Sequence, residues 1–219
     1  MGPLIFWIVQ GIICSLYFVT LYMAYKTRKT TSYPSNFKDF LWYPLIGSIL
    51  TVFYWLKYLN IYALPYFVLI NKTSLLFHFG FLSRYIYIEV NKKAAFRYTA
   101  ICFFIIQIPF VYFDIINHTI LSFSVTNGCL FILCCYYFYY LFLAPPILNL
   151  FKEPSFWVCC GILLGSGLLI PFYSFSRDIS KIITNLNAHY LLGTLSTLGY
   201  GIMYIFFIKA YLCILLQRK

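Results

Sequence analysis

The sequence predicts an all-α, polytopic membrane protein: a bundle of seven transmembrane helices, N-terminus outside and C-terminus cytoplasmic. Three observations predict it. Only 10% of the 219 residues are charged, while 63% are hydrophobic and 23% aromatic, against about 25% charged in a soluble domain. Apolar segments recur at close to the roughly 20 residues that a helix needs to cross a bilayer. Lys and Arg gather in alternate connections, which is how orientation is written into a membrane chain.

The apolar spans read as Leu4–Tyr25, Phe40–Tyr58, Ala63–Tyr87, Tyr98–Ile116, Ile120–Leu143, Ser155–Phe175 and Ala188–Leu216. Together they form a single transmembrane domain over residues 1–219, with no room left for an extramembrane domain. The second and third spans are divided only by Leu59–Tyr62 and the helix-disfavouring Pro65. Pro145-Pro146 stops the fifth span, and Ile147, Leu148, Leu150 and Phe151 before Pro154 predict a short interfacial helix. After the sixth span, Ile179, Ile182, Ile183 and Leu186 recur at helical spacing and predict a second helix lying on the membrane surface. The start of the chain lacks the basic region and small-residue cleavage pattern of a signal peptide, and Phe6 stands where a myristoylation motif wants Ser or Thr.

Orientation follows from charge. Ten basic residues (Lys26, Arg28, Lys29, Lys38, Lys92, Lys93, Arg97, Lys152, Arg218, Lys219) lie on one side, and only Arg177 and Lys181 on the other. The side rich in Lys and Arg faces the cytoplasm. Trp7 and Trp55 fall near the predicted outer boundary, Trp42 and Trp157 near the inner one, as aromatic belts require. The net charge of +11 is thereby read as orientation, and no nucleic-acid partner is expected. All eight cysteines fall in apolar segments, so no disulfide framework is predicted.

Small residues predict close helix packing. Gly193, Thr197 and Gly201 form a ridge on the seventh span, and Gly161 and Gly165 a shorter one on the sixth. These ridges serve the bundle itself or a dimer.

Ionisable residues inside spans are costly and mark candidate sites. Lys57 and Lys209 lie near helix ends and can snorkel to the headgroups; Arg84 reads as a structural lock near the inner end. Lys72 lies deeper, preceded by Asn71, with His78 one heptad after Asn71. All five acidic residues fall at span ends or in connections, so none is expected to neutralise Lys72. Gln10, Gln107, Asn127, Ser166, Thr194 and Ser196 reach a similar depth, and Pro109 and Pro171 interrupt the outer halves of their spans. The expectation is an outward-facing, polar, net-positive cavity for a small anionic or hydrogen-bonding ligand. The competing reading is interhelical hydrogen bonding that only glues the bundle.

Enzyme signatures are missing. His78, His118 and His189 stand on different elements, without an HExxH pair. No catalytic residues, metal or cofactor are expected. Asn117-His118-Thr119 matches a glycosylation acceptor in form only. Ser83-Arg84-Tyr85 looks like the acidic-Arg-Tyr motif of rhodopsin-like receptors, but the Asn-Pro-x-x-Tyr of their last helix is absent. A microbial rhodopsin would need its retinal lysine near Tyr200–Ile202, well before Lys209, and seven-helix sugar transporters would carry a Pro-Gln signature.

The segment Tyr136–Gly167 holds Tyr-Tyr-Phe-Tyr-Tyr-Leu, then Glu-Pro-Ser-Phe-Trp-Val (Glu153–Val158) and Gly-Ile-Leu-Leu (Gly161–Leu164). With the length and helix spacing, it resembles small uncharacterised seven-helix integral membrane proteins of Bacteroidota. That resemblance implies a bacterial inner membrane and a sensory role, and no chemistry. The function expected is a membrane sensor or signalling component that binds a small ligand from outside and acts on a cytoplasmic or membrane protein partner. The alternatives are a small transporter or channel, and a structural subunit of a membrane complex.

Overall fold

The computed structural model describes the backbone of residues 2–28, 40, 42–49, 64–90, 94–117, 120–143, 149–182 and 186–216. Side chains are described for the same residues except 2–3, 28, 64–69, 71, 176–182 and 186–192. Among the described residues the regular structure is entirely helical: α1 (Gly2–Arg28), α2 (42–49), α3 (Leu64–Glu89), α4 (Ala94–Asn117), α5 (Leu121–Leu143), α6 (Pro154–Ile182) and α7 (Leu186–Leu216), with one 3-10 turn at Leu150–Lys152. Among the described residues, five segments are long and apolar enough to cross a membrane: Leu4–Thr27, Ala94–Asn117, Leu121–Leu143, Pro154–Phe175 and Gly193–Leu216. The chain is therefore an all-α protein of the multi-pass membrane type. The helix α3 matches them in length, with 26 residues, but carries Lys72, Arg84 and Glu89.

Two predicted connections fold differently. The helix α6 runs without a break past Phe175 to Ile182, so the expected surface helix is, as far as it is described, the last turns of α6. No Gly or Pro occurs between Phe172 and Ile182 to interrupt the ladder, and an amphipathic pattern suits a continuing helix as well as a lying one. Between α5 and α6 the described part of the expected interfacial helix, residues 149–153, is one 3-10 turn, in which Lys152 N–H donates to Asn149 at 3.1 Å and Glu153 N–H to Leu150 at 3.0 Å; Ile147 and Leu148 lie outside the described residues. Pro154 then opens α6, where its missing N–H has no partner to lose. Pro65 stands at the start of α3 for the same reason. Trp55, Lys57, Leu59–Tyr62, Pro145-Pro146 and His118 lie outside the described residues.

The helix α7 packs against α6 on one side and α1 on the other, and α5 packs against α6, α4 and α3. Glycine allows the closest of these contacts. A Cβ on Gly165 would lie 3.0 Å from the Gly199 carbonyl oxygen, and one on Gly161 2.7 Å from Phe206 Cβ. The other ridge meets α1: a Cβ on Gly193 would lie 2.9 Å from Phe6 and one on Gly201 3.3 Å from Ile13. The two small-residue stripes thus serve two different interfaces, and both are filled within the chain.

The predicted inner half of the bundle is packed with large apolar and aromatic side chains, among them Phe40, Leu82, Phe96, Leu133, Phe207 and Tyr211, each fully buried. The outward faces of α1 and α4 expose Leu4, Ile8, Phe18, Ile105, Ile108 and Ile116, which suits hydrocarbon rather than water.

Candidate functional site

The buried polar side chains collect in the predicted outer half, and Lys72 is their centre. Its ammonium donates to Asp114 Oδ2 at 2.7 Å and to Ser122 Oγ at 3.0 Å, and it lies 4.8 Å from the centre of the Phe123 ring. Asp114 also accepts from the backbone N–H groups of Leu121 (Oδ1, 3.0 Å) and Ser122 (Oδ2, 2.7 Å). The carboxylate therefore caps the N-terminus of α5, where unpaired N–H groups and the helix dipole favour an anion. The short turn from α4 to α5 lays Asp114, one turn before α4 ends, over that terminus.

This pairing corrects the expectation that no acidic residue neutralises Lys72, and with it the net-positive charge of the cavity. The Lys72 backbone lies about 12 Å along α3 from Leu64 and Asp114 about 5 Å from the end of α4, at 1.5 Å per residue. Judged by backbone depth the two looked unmatched. The lysine's four-carbon stem spans the difference, and both charges are buried together.

Four further bonds hold the same half. Thr126 donates to Gln107 Oε1 at 3.0 Å, joining α5 to α4. Ser124 meets the Ser174 hydroxyl at 2.6 Å and donates to the Ile170 carbonyl at 3.2 Å, joining α5 to α6 beside Pro171. Gln10 Nε2 donates to Thr197 at 2.8 Å, joining α1 to α7. The first two turns of α5 thus bond through side chains to α3, α4 and α6. Ser196 and Thr197 turn back onto the Gly193 carbonyl at 2.9 and 2.6 Å. Thr194 is buried, and the Asn71 side chain lies outside the described set.

Other atoms of the expected site are buried with no hydrogen-bond partner among the described residues: His78 Nε2, Gln107 Nε2, Asn127 Oδ1 and Ser166 Oγ. Asn127 spends its amide hydrogen on the Phe123 carbonyl of its own helix at 2.7 Å. His78 Nδ1 is 2.6 Å from the Tyr43 hydroxyl, and its ring lies 6.2 Å from that of Tyr200. Tyr43 and Tyr17 in turn flank Tyr204, at 6.2 and 4.0 Å between ring centres. The expected set therefore divides into residues that bond helices together and residues whose polar atoms are left over.

Sequence reading missed Asp114, Ser122, Thr126 and the tyrosines around His78. For Asp114 a signal existed: an acid one turn before a helix end, followed by a tight turn into the next helix. No signal selected Tyr43, Tyr200 and Tyr204 from 22 tyrosines. Arg84 is exposed at the other end of α3, and the Lys209 ammonium stands 5.5 Å from the centre of the Trp157 ring. Among the described residues no group of three His, Cys, Asp or Glu is placed to hold a metal ion. Comparison with known proteins matches the chain to no family model, no curated protein and no solved structure.

Proposed function

We propose that this chain is a membrane sensor or signalling component with seven spans, N-terminus outside and C-terminus cytoplasmic, in a bacterial inner membrane. It binds a small, uncharged, hydrogen-bonding ligand in the outer half of the bundle. The observation that carries this reading is the pair of leftover atoms on α5 and α6: Asn127 Oδ1 and Ser166 Oγ. A buried polar atom without a partner costs about 1–3 kcal/mol, and native structures hold few of them. A bundle built for stability alone would place apolar side chains there. Because Asp114 already neutralises Lys72, the buried charge described in this half is balanced, which favours a neutral ligand.

The polar hub on α5 supplies a route for a response. A ligand that draws on Asn127 acts on the helix whose first turns are bonded to α3, α4 and α6, and the basic connections around Lys26 and Lys92–Arg97 are the surfaces a cytoplasmic partner would meet. The assembly-subunit reading is weakened by the Gly193/Thr197/Gly201 ridge, which α1 covers.

The test is thermal unfolding of the purified chain in detergent against a panel of small uncharged polar compounds, beside the double variant Asn127→Leu/Ser166→Ala. A compound that stabilises the wild type and not the variant supports the site. A panel that never separates the two proteins overturns it. Uptake of the stabilising compound into proteoliposomes would make the protein a transporter instead of a sensor.

A further inference from the structure

At the opposite end of the molecule, the surface shared by α6 and α7 carries a second arrangement that the ligand reading does not use. Trp157, in the first turn of α6, is fixed in place. Its indole N–H donates to the Phe151 carbonyl at 2.8 Å, and its ring lies 5.9 Å from Phe151, 5.5 Å from Phe156 and 5.8 Å from Phe206. With the N–H already used, the ring offers neighbours only its face. Over that face stands the Lys209 ammonium, 5.5 Å from the ring centre. Lys209 is exposed, and so is Lys152 on the 3-10 turn next to Phe151. Of the described residues on this face of α6 and α7, Glu153, between Lys152 and Pro154, is the acidic one, against two lysines.

The geometry points to a binding site for one anionic phospholipid. Two lysines and a rigid tryptophan at a span boundary match a phosphate-bearing headgroup, because Lys placed near a lipid surface attracts anionic lipid and Trp prefers the interfacial level. The exposed surfaces of the same two helices continue away from that boundary as apolar side chains that include Leu164, Leu168, Leu198 and Ile205. Acyl chains lie along such a surface, while the headgroup is held at its basic end. An acidic peptide would use the lysines and leave the apolar surface uncovered; a free phosphate would gain nothing from it. Charge and apolar surface together select a lipid.

The experiment is native mass spectrometry and thermal unfolding of the full chain, delipidated in detergent and titrated with phosphatidylglycerol, phosphatidylcholine or inorganic phosphate. Phosphatidylglycerol is expected to be retained and to raise the unfolding temperature more than phosphatidylcholine does. Lys209→Gln and Lys152→Gln are each expected to weaken its binding by about fivefold, the effect of one lysine near an anionic surface, and Lys209→Gln to do so without changing the unfolding temperature of the lipid-free protein. Equal retention of the two lipids overturns the site, as does undiminished phosphatidylglycerol binding by Lys209→Gln. Stabilisation by inorganic phosphate equal to that by the lipid overturns the phospholipid as occupant. None of these outcomes depends on whether the outer-half site binds a neutral ligand.

Discussion

The two halves of the bundle solve the same burial problem in opposite ways. Toward the predicted inner end, Phe40, Leu82, Ile86, Leu133, Cys134 and Phe207 fill the interior, and the buried hydroxyls of Thr20 and Thr27 return to carbonyls of their own helix. Toward the predicted outer end the interior is built from Lys72, Asp114, Ser122, Gln107, Thr126, Asn127 and Ser166. In lipid, apolar packing needs no partner of particular chemistry, while every polar group needs one. The inner half is therefore tolerant and the outer half exacting. An atom left over in the outer half, such as Ser166 Oγ, is a departure from a rule its neighbours obey.

The largest effect that would sharpen this contrast is at Asp114. Asp114→Asn removes the charge that neutralises Lys72 and weakens the cap on α5, and should lower unfolding stability by about 3–5 kcal/mol, as for a buried pair broken on one side. Lys72→Met should cost less, about 2 kcal/mol, because Asp114 keeps both backbone N–H groups. The double variant Lys72→Met/Asp114→Asn should recover part of the loss of Asp114→Asn alone. Denaturant titrations of the three proteins check the order, and equal losses in the two single variants would show that the pair is not asymmetric.

An intermediate effect belongs to the inner half. Leu133→Ala should cost about 2–4 kcal/mol through lost contacts and a cavity, while leaving any ligand-induced stabilisation of the wild type in place. Loss of that response would mean the two halves are not separable.

The smallest effects discriminate best between glue and site. Thr126→Val breaks the bond to Gln107 and should lower stability by about 1 kcal/mol. Ser166→Ala removes an atom that has no partner among the described residues and should leave stability unchanged or raise it by up to about 1 kcal/mol. A clear loss on Ser166→Ala, in the same titration, would return Ser166 to the glue.

The sequence by itself determined the helical, membrane-spanning character of the chain, because composition and the length of apolar runs follow from the solvent a segment must enter. It also picked out Lys72, Gln107, Asn127, Ser166 and Thr194, which the structure buries, since a polar residue inside an apolar run must be enclosed. It read the ridges Gly161/Gly165 and Gly193/Thr197/Gly201 as packing surfaces, but not that the first meets α7 and the second α1. Only the tertiary structure decided partners: that Lys72 meets Asp114, that Gln107 meets Thr126 while Ser166 meets nothing among the described residues, and that His78 meets Tyr43. Depth is a property of one helix. Partnership depends on the rotation of two helices and on the reach of their side chains, and a lysine stem long enough to bridge different depths hid the Lys72–Asp114 pair from any reading that matched residues level by level.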